Sequence, residues 1–265
     1  MRVLLFIVNF FIVTGYVPNI RIYQKIIKKK EITIYEPFNS IPKDSHSVMF
    51  FTGGNGLIPY EFYNNFIKSI SNENITVFIG PSNVKESAIL LEEMVDKYKS
   101  ATVMGHSTGC VNTVRTANTN KNCTRAILLD PVNNAPFLDI FKMWRLPSFY
   151  PFWGVWKKNE NLKFKYVDSL LTLKAEKAYK WNISGEKKIP FLLFFGSDGS
   201  ELINSNKKFI LKNFEENGHT DLLNPLWSNF MHNTISPGTN NRNIENLNEY
   251  CIKLAKDSAI FIKDA

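Results

Sequence analysis

At 265 residues, 44% hydrophobic and 21% charged, the chain has the length and composition of one sizeable domain with its own core. That excludes a disordered chain, and three scattered cysteines (Cys110, Cys123, Cys251) exclude a disulfide scaffold. The formal charge of +8 raises nucleic acid or anionic membrane as partners. The lysines are spread along the chain, with one cluster at Lys28, Lys29 and Lys30, and no nucleic-acid-binding motif accompanies them. They read as a solvated basic surface, and no nucleic-acid partner is expected. The cysteines form no C-x-x-C pair and have no histidine at a metal spacing, so no metal site is expected. N-x-[ST] triplets at Asn74, Asn122 and Asn182 are what chance yields in a chain this rich in Asn.

The chain begins Met1-Arg2 and then runs apolar from Val3 to Val13, interrupted only by Asn9, before Thr14-Gly15-Tyr16-Val17-Pro18. The run resembles a secretory h-region and is short for a membrane span, which needs about 20 residues. Arg21, Lys25 and Lys28 to Lys30 follow it, and positive residues tend to stay on the cytoplasmic side. Residues 1–18 are therefore a hydrophobic segment with three readings: membrane anchor, cleaved signal, or an apolar strand packed on the domain. The first two imply a membrane-associated or secreted protein, the third a cytoplasmic one. Residues 19–265 read as a single domain.

Short β-rich runs alternate with helical stretches, the pattern of a mostly parallel sheet flanked by helices. Strands are expected at Ile32–Tyr35, at Ser47–Phe51 (ending in the turn Thr52-Gly53-Gly54-Asn55-Gly56), and at Ile75–Ile79. Further strands are expected at Ala101–Met104, Ala126–Leu129, Pro190–Phe195 and Lys208–Phe214. Helices are expected over Tyr60–Ile70, over Glu86–Tyr98 with Ile89, Leu90, Leu91, Met94 and Val95 on one side, from Val111, and over Ile244–Phe261. The interval 135–188 breaks the rhythm. It holds Phe137, Phe141, Trp144, Phe149, Tyr150, Phe152, Trp153 and Trp156, and reads either as an aromatic cap or lid, or as a helical pair packed on the core.

The strongest chemical signal is Gly105-His106-Ser107-Thr108-Gly109, a G-x-S-x-G string with a strand before it and a helix after it. In that context Ser107 sits on a tight, strained turn at the carboxyl edge of the sheet, where side chains at the glycine positions would collide with neighbouring backbone. A serine hydroxyl is a weak nucleophile unless a base takes its proton. Of four histidines, His219 in Asn217-Gly218-His219-Thr220-Asp221 directly follows the last expected strand, where the base lies in the order Ser, acid, His. The acid is open on residues alone: Asp130 in Leu129-Asp130-Pro131 and Asp198 in Gly196-Ser197-Asp198-Gly199 each leave a strand tip. Oxyanion donors are expected from the Thr108 amide and from Gly54 or Asn55.

Ser47 to Pro81, the elbow around Ser107, Leu129-Asp130-Pro131-Val132 and Gly218-His219-Thr220-Asp221-Leu222-Leu223 together resemble the chlorophyllase branch of the α/β-hydrolase fold, itself similar to the dienelactone-hydrolase and polyester-hydrolase groups. The resemblance covers Ser47 to Leu223 and is strong only at the motifs. It implies a Ser107–Asp130–His219 triad and ranks Asp130 ahead of Asp198, although the polyester hydrolases carry their acid at the position of Asp198. Thr52-Gly53-Gly54 in place of a common His-Gly, and Cys110 in place of a common glycine, are departures that bear on a pigment substrate more than on the chemistry. The expected activity is serine-dependent hydrolysis of an apolar or lipid-like carboxylic ester, with a membrane surface as a possible meeting place and no cofactor. Two rivals remain: an inactive hydrolase-fold binding protein, and an acyltransferase or thioesterase using the same groups.

Overall fold

The computed structural model describes residues 20–27, 30–53, 56, 58–131, 163–175, 208–214, 217–228 and 244–264. Among these residues eight strands make one sheet: β1 Ile20–Ile27, β2 Lys30–Pro37, β3 His46–Phe51, β4 Ile75–Ile79, β5 Ser100–His106, β6 Arg125–Leu129, β7 Ser169–Ala175 and β8 Lys208–Phe214. Their order across the sheet is β1-β2-β4-β3-β5-β6-β7-β8. The hairpin β1–β2 joins β4 antiparallel, and β3 to β8 are mutually parallel. The carboxyl ends of β3 to β8 therefore share one edge, where an open parallel sheet carries its ligand crevice.

Among the described residues four helices cover the two faces: α1 Asn64–Asn72 after a 3-10 turn over Tyr60–Tyr63, α2 Val84–Lys97, α3 Gly109–Ala117, and a C-terminal α4 Ile244–Lys263. Strand periodicity assigns the faces. Val48, Phe50, Met104, Ile127, Leu129 and Leu171 point to α1 and α4, meeting Phe66, Ile67, Ile70, Leu254 and Ala259. Their sequence neighbours Met49, Phe51, Val103, Ala126, Leu128 and Leu170 point the other way, to Leu90, Leu91 and Met94 of α2 and Cys110, Val114 and Ala117 of α3. Two-sided burial explains why the central strands are continuous apolar runs rather than alternating ones. Asn83 caps α2 by accepting from the Lys85 N–H, and Lys97 lies in its last turn, favourable for the helix dipole.

Two strands lie where none was expected. β1 is an edge strand whose register pairs Ile20 with Pro37 and Ile27 with Lys30, and five of the six residues between its buried ends are exposed. Its charges, Arg21 and Lys25, make it look like a polar flank of the preceding apolar run, yet charged side chains are normal on an edge that must not pair further. β7 falls inside the interval 135–188, so that interval is not a single insertion: residues 169–175 form a central strand between β6 and β8. The aromatic residues Phe137 to Trp156, the expected strand Pro190–Phe195 and residues 1–18 lie outside the described residues. Among the described residues, no helix is long and apolar enough to cross a membrane.

Phe50 anchors the face that also carries Tyr63: its ring meets Tyr63 edge-on at 5.2 Å and Phe66 at 5.8 Å. Truncating such a fully buried ring leaves a cavity costing about 3–5 kcal/mol. Phe50→Ala is therefore expected to lower the unfolding free energy by that amount, read as a lower urea midpoint at unchanged slope, and an unaltered midpoint would contradict this packing.

Candidate active site

The elbow between β5 and α3 is built by exclusion. A side chain at Gly105 would put its Cβ 2.4 Å from Thr113 Oγ1 and 2.5 Å from the Gly109 backbone; at Gly109 it would lie 2.5 Å from the Phe51 carbonyl oxygen. Both positions sit where β3, β5 and α3 converge, so the bend can be this tight only without side chains there. Between the glycines Ser107 adopts φ 54°, a left-handed conformation costing a non-glycine residue of order 1–3 kcal/mol. Its N–H still donates to the Leu129 carbonyl at 3.0 Å, the last rung of the ladder with β6. The side chain is thrown out at the sheet edge, against the first turn of α3.

Asp130, one residue beyond β6, repeats the device. Its φ is 44°, and its N–H donates to the Leu173 carbonyl of β7 at 2.7 Å. Two adjacent strand tips thus end in left-handed residues, each anchored by the last ladder bond to its neighbour. His219, after β8, lies between them. His219 Nδ1–H donates to Asp130 Oδ2, which leaves Nε2 as the acceptor of the Ser107 hydroxyl at 2.9 Å. All three side chains are buried. A hydroxyl bonded to an imidazole whose far nitrogen is held by a carboxylate is a path for moving the hydroxyl proton.

The loop bearing His219 is shaped by residues whose roles had no reading from sequence. Asp221, fully buried, accepts the Gly218 N–H at 2.8 Å and the Ser228 hydroxyl at 3.3 Å, closing the turn around His219. Asn224 clamps the same loop to the 3-10 turn: its N–H donates to the Phe62 carbonyl, its Nδ2 to the Glu61 carbonyl at 2.8 Å, and its Oδ1 accepts from Asn65 N–H at 3.1 Å. Asp221 was visible only as a letter of the motif; Asn224, beside Pro225, carried no signal. His106 and Tyr63 are the other omissions. Tyr63 Oη lies 2.9 Å from His106 Nδ1 and accepts the Gly53 N–H at 3.0 Å; His106 Nε2–H donates to the His219 carbonyl at 3.0 Å.

Thr108 stands at the N-cap of α3, where the amides of a helix's first turn have no intrahelical acceptor. Gly53 accepts at its carbonyl from Gly56 at 3.2 Å and Ile58 at 3.3 Å, so the ends of the turn expected to hold an oxyanion donor are fixed. Gly54 and Asn55 themselves, and Asp198, lie outside the described residues. Cys110, next to the elbow, donates to the Gly105 carbonyl, and burial pushes its thiol well up; Cys123 and Cys251 are pushed up to about 12 by the same cause. None of these thiols competes as a nucleophile, which must be a thiolate.

No family model and no curated protein sequence matches the chain. Solved structures do. An ester hydrolase from the metagenome of Lake Arreo, complexed with a bipyridine phosphonate derivative, is similar at a TM-score of 0.57 and 12% identity over 95% of this chain and 84% of that one. A candidate esterase from Staphylococcus aureus is similar at 0.57 and 11% over 91% and 84%. The chain has the α/β-hydrolase fold. A thermostable esterase from Pseudomonas putida overlaps less, at 0.45 and 14%, over 62% of this chain and 66% of its own length. In this α/β-hydrolase fold the elbow, the β6 tip and the loop after β8 occupy the edge at which the fold binds substrate.

Burial, then the neighbouring His219, pushes His106 down from 6.5 to about 3. Between those values the unfolded chain holds a proton that the folded chain does not. Stability therefore rises with pH across that window and is lost as pH falls through it, by up to about 1.4 kcal/mol per pH unit from this one group. Urea titrations from about pH 7 down to pH 4 should show the loss, and His106→Gln should flatten it. An equal slope in that variant would assign the effect to other groups.

Proposed function

We propose that the chain is a serine hydrolase of carboxylic esters, working through Ser107, His219 and Asp130. The observation that carries this is the 2.9 Å contact of His219 Nε2 with the Ser107 hydroxyl, together with Asp130 on the opposite ring nitrogen. The similarity of fold to ester hydrolases supports it.

In the proposed reaction Ser107 Oγ attacks the ester carbonyl carbon as His219 Nε2 takes its proton. Asp130 holds the ring in the Nδ1–H form and stabilises the imidazolium. The tetrahedral oxyanion accepts from the Thr108 amide and from an amide of Gly54 or Asn55. It collapses as His219 returns the proton to the departing alkoxide, releasing the alcohol and leaving an acyl-Ser107. Water, activated by the same imidazole, then releases the acid and restores the serine.

The substrate is proposed to be apolar. Leu226, 73% exposed, and Trp227, stacked on Phe62 at 3.9 Å, follow the His219 loop on its outer side. The aromatic residues of 135–188 would extend an apolar lining, and residues 1–18, as anchor or signal, would bring the chain to a membrane. The resemblance to the chlorophyllase branch agrees with an acid at the β6 tip.

A fluorophosphonate probe should label the protein at Ser107, and Ser107→Ala should abolish both labelling and p-nitrophenyl ester turnover. Absence of both in folded wild-type protein would favour the binding-protein reading. Asp130→Asn should cut kcat by orders of magnitude, to about 10⁴-fold, while Asp198→Asn should be mild. The reverse would move the acid to Asp198. Longer acyl chains should be preferred over acetate; a preference for acetate would count against an apolar substrate.

A further inference from the structure

Four groups from three distant segments form one chain of hydrogen bonds, and its direction is fixed by what each can do. The Gly53 N–H can only donate, and it donates to Tyr63 Oη at 3.0 Å. Tyr63 thereby has its own hydrogen to give, and the group 2.9 Å away is His106 Nδ1. The other ring nitrogen of His106 lies 3.0 Å from the His219 carbonyl oxygen, which can only accept. So His106 is a neutral Nε2–H imidazole, and every polar atom along the path from Gly53 to His219 is satisfied. The path is buried throughout, and its two ring nitrogens face Tyr63 and His219 with the His219 ring 4.8 Å away.

We propose that Tyr63 and His106 are positioning residues that set the separation between the oxyanion turn opened by Gly53 and the base His219. The inference rests on the reading of His219 and Ser107 as base and nucleophile. Neither residue touches the reacting atoms. What they fix is the backbone of both partners: His219 at its carbonyl, and the turn at the first of its glycines. A Cβ on Gly53 would lie 2.9 Å from Tyr63 Oη and 3.3 Å from His106 Nδ1, so Gly53 is seated directly on the pair. The Tyr63 segment is also clamped to the His219 loop through Asn224, which gives the path a rigid frame. A neutral His106 is required by the same geometry. Protonated at Nδ1, it would lose the Tyr63 hydrogen and set a second cation beside His219 as that ring charges in the reaction.

Tyr63→Phe keeps the ring and removes the oxygen from the middle of the path. It should lower kcat for p-nitrophenyl esters about 10- to 100-fold, the size expected for misplacing a group by a fraction of an ångström to an ångström, with KM changed less than about threefold. His106→Gln, which offers one donor and one acceptor, should retain far more kcat than His106→Phe, which offers neither; thermal melting confirms that each variant is folded. Nitrogen-15 spectra of histidine-labelled full-length protein should show a non-titrating Nε2–H ring between about pH 5 and 8, absent from His106→Gln; in Tyr63→Phe the ring keeps its Nε2–H, held by the His219 carbonyl, and its Nδ1 resonance shifts as the accepted hydrogen is lost. Activity of folded Tyr63→Phe within twofold of wild type, a His106 that titrates in that range, or an Nδ1 resonance indifferent to Tyr63→Phe would each overturn the proposal. If wild-type protein proves inactive on esters, the proposed function fails, and the spectra still decide whether the path exists.

Discussion

His219 must bond simultaneously to a side chain after β5 and to one after β6 while itself following β8, and this demand organises much of the rest. Parallel strands lie about 4.8 Å apart, so β8 is roughly 10 Å from β6 and 14 Å from β5. His219 is five residues past Phe214, a stretch that reaches about 17 Å if fully extended. The loop can make the crossing with little slack. That explains the number of bonds spent on the far end: Asp221 folding the turn, Asn224 tying it to the 3-10 segment, and His106 holding the His219 carbonyl.

The strand tips supply the complementary half. Ser107 and Asp130 are both in left-handed conformations that cost free energy unless their surroundings enforce them. Each is enforced by a ladder bond at its own N–H, Ser107 to Leu129 and Asp130 to Leu173, so that β6 and β7 fix the residue that breaks away from them. Strain and anchoring are coupled. Removing β7 would loosen Asp130 before it touched Ser107, which makes the unexpected central strand as relevant to the site as the elbow is.

What could be read from the sequence divides along range of interaction. The elbow was legible because its determinants, glycines within two residues of Ser107 and a strand and helix on either side, are local. The central strands were legible because burial on both faces leaves them as plain apolar runs. β1 was not, since an exposed edge strand with Arg21 and Lys25 lacks that signature. Nor was β7: Ser169-Leu-Leu-Thr-Leu-Lys-Ala is short, and buried Thr172 interrupts its apolar run in a segment otherwise dominated by aromatic and charged residues. On residues alone Asp130 and Asp198 were both strand-tip carboxylates; the contact with His219 supports Asp130 as the proposed acid, and Asp198 lies outside the described residues. The Tyr63–His106–His219 path joins residues 43 and 113 positions apart and has no pattern a single sequence could carry.

Burying so many polar groups in one place is tolerable only when each has a partner, because an unpaired one costs about 1–3 kcal/mol. That condition constrains protonation as well as position. His106 cannot take a proton at Nδ1 without displacing the Tyr63 hydrogen, and desolvation already opposes the charge. His219 has different partners, since Asp130 faces its Nδ1 and the Ser107 hydroxyl its Nε2. Two imidazoles 4.8 Å apart thus have different neighbours: one is held between a tyrosine and a carbonyl, the other between a carboxylate and the Ser107 hydroxyl. A site proposed to need one proton acceptor next to its hydroxyl obtains it by closing off the second, which lies one position before the hydroxyl in the chain and is occupied by Tyr63 and the His219 carbonyl.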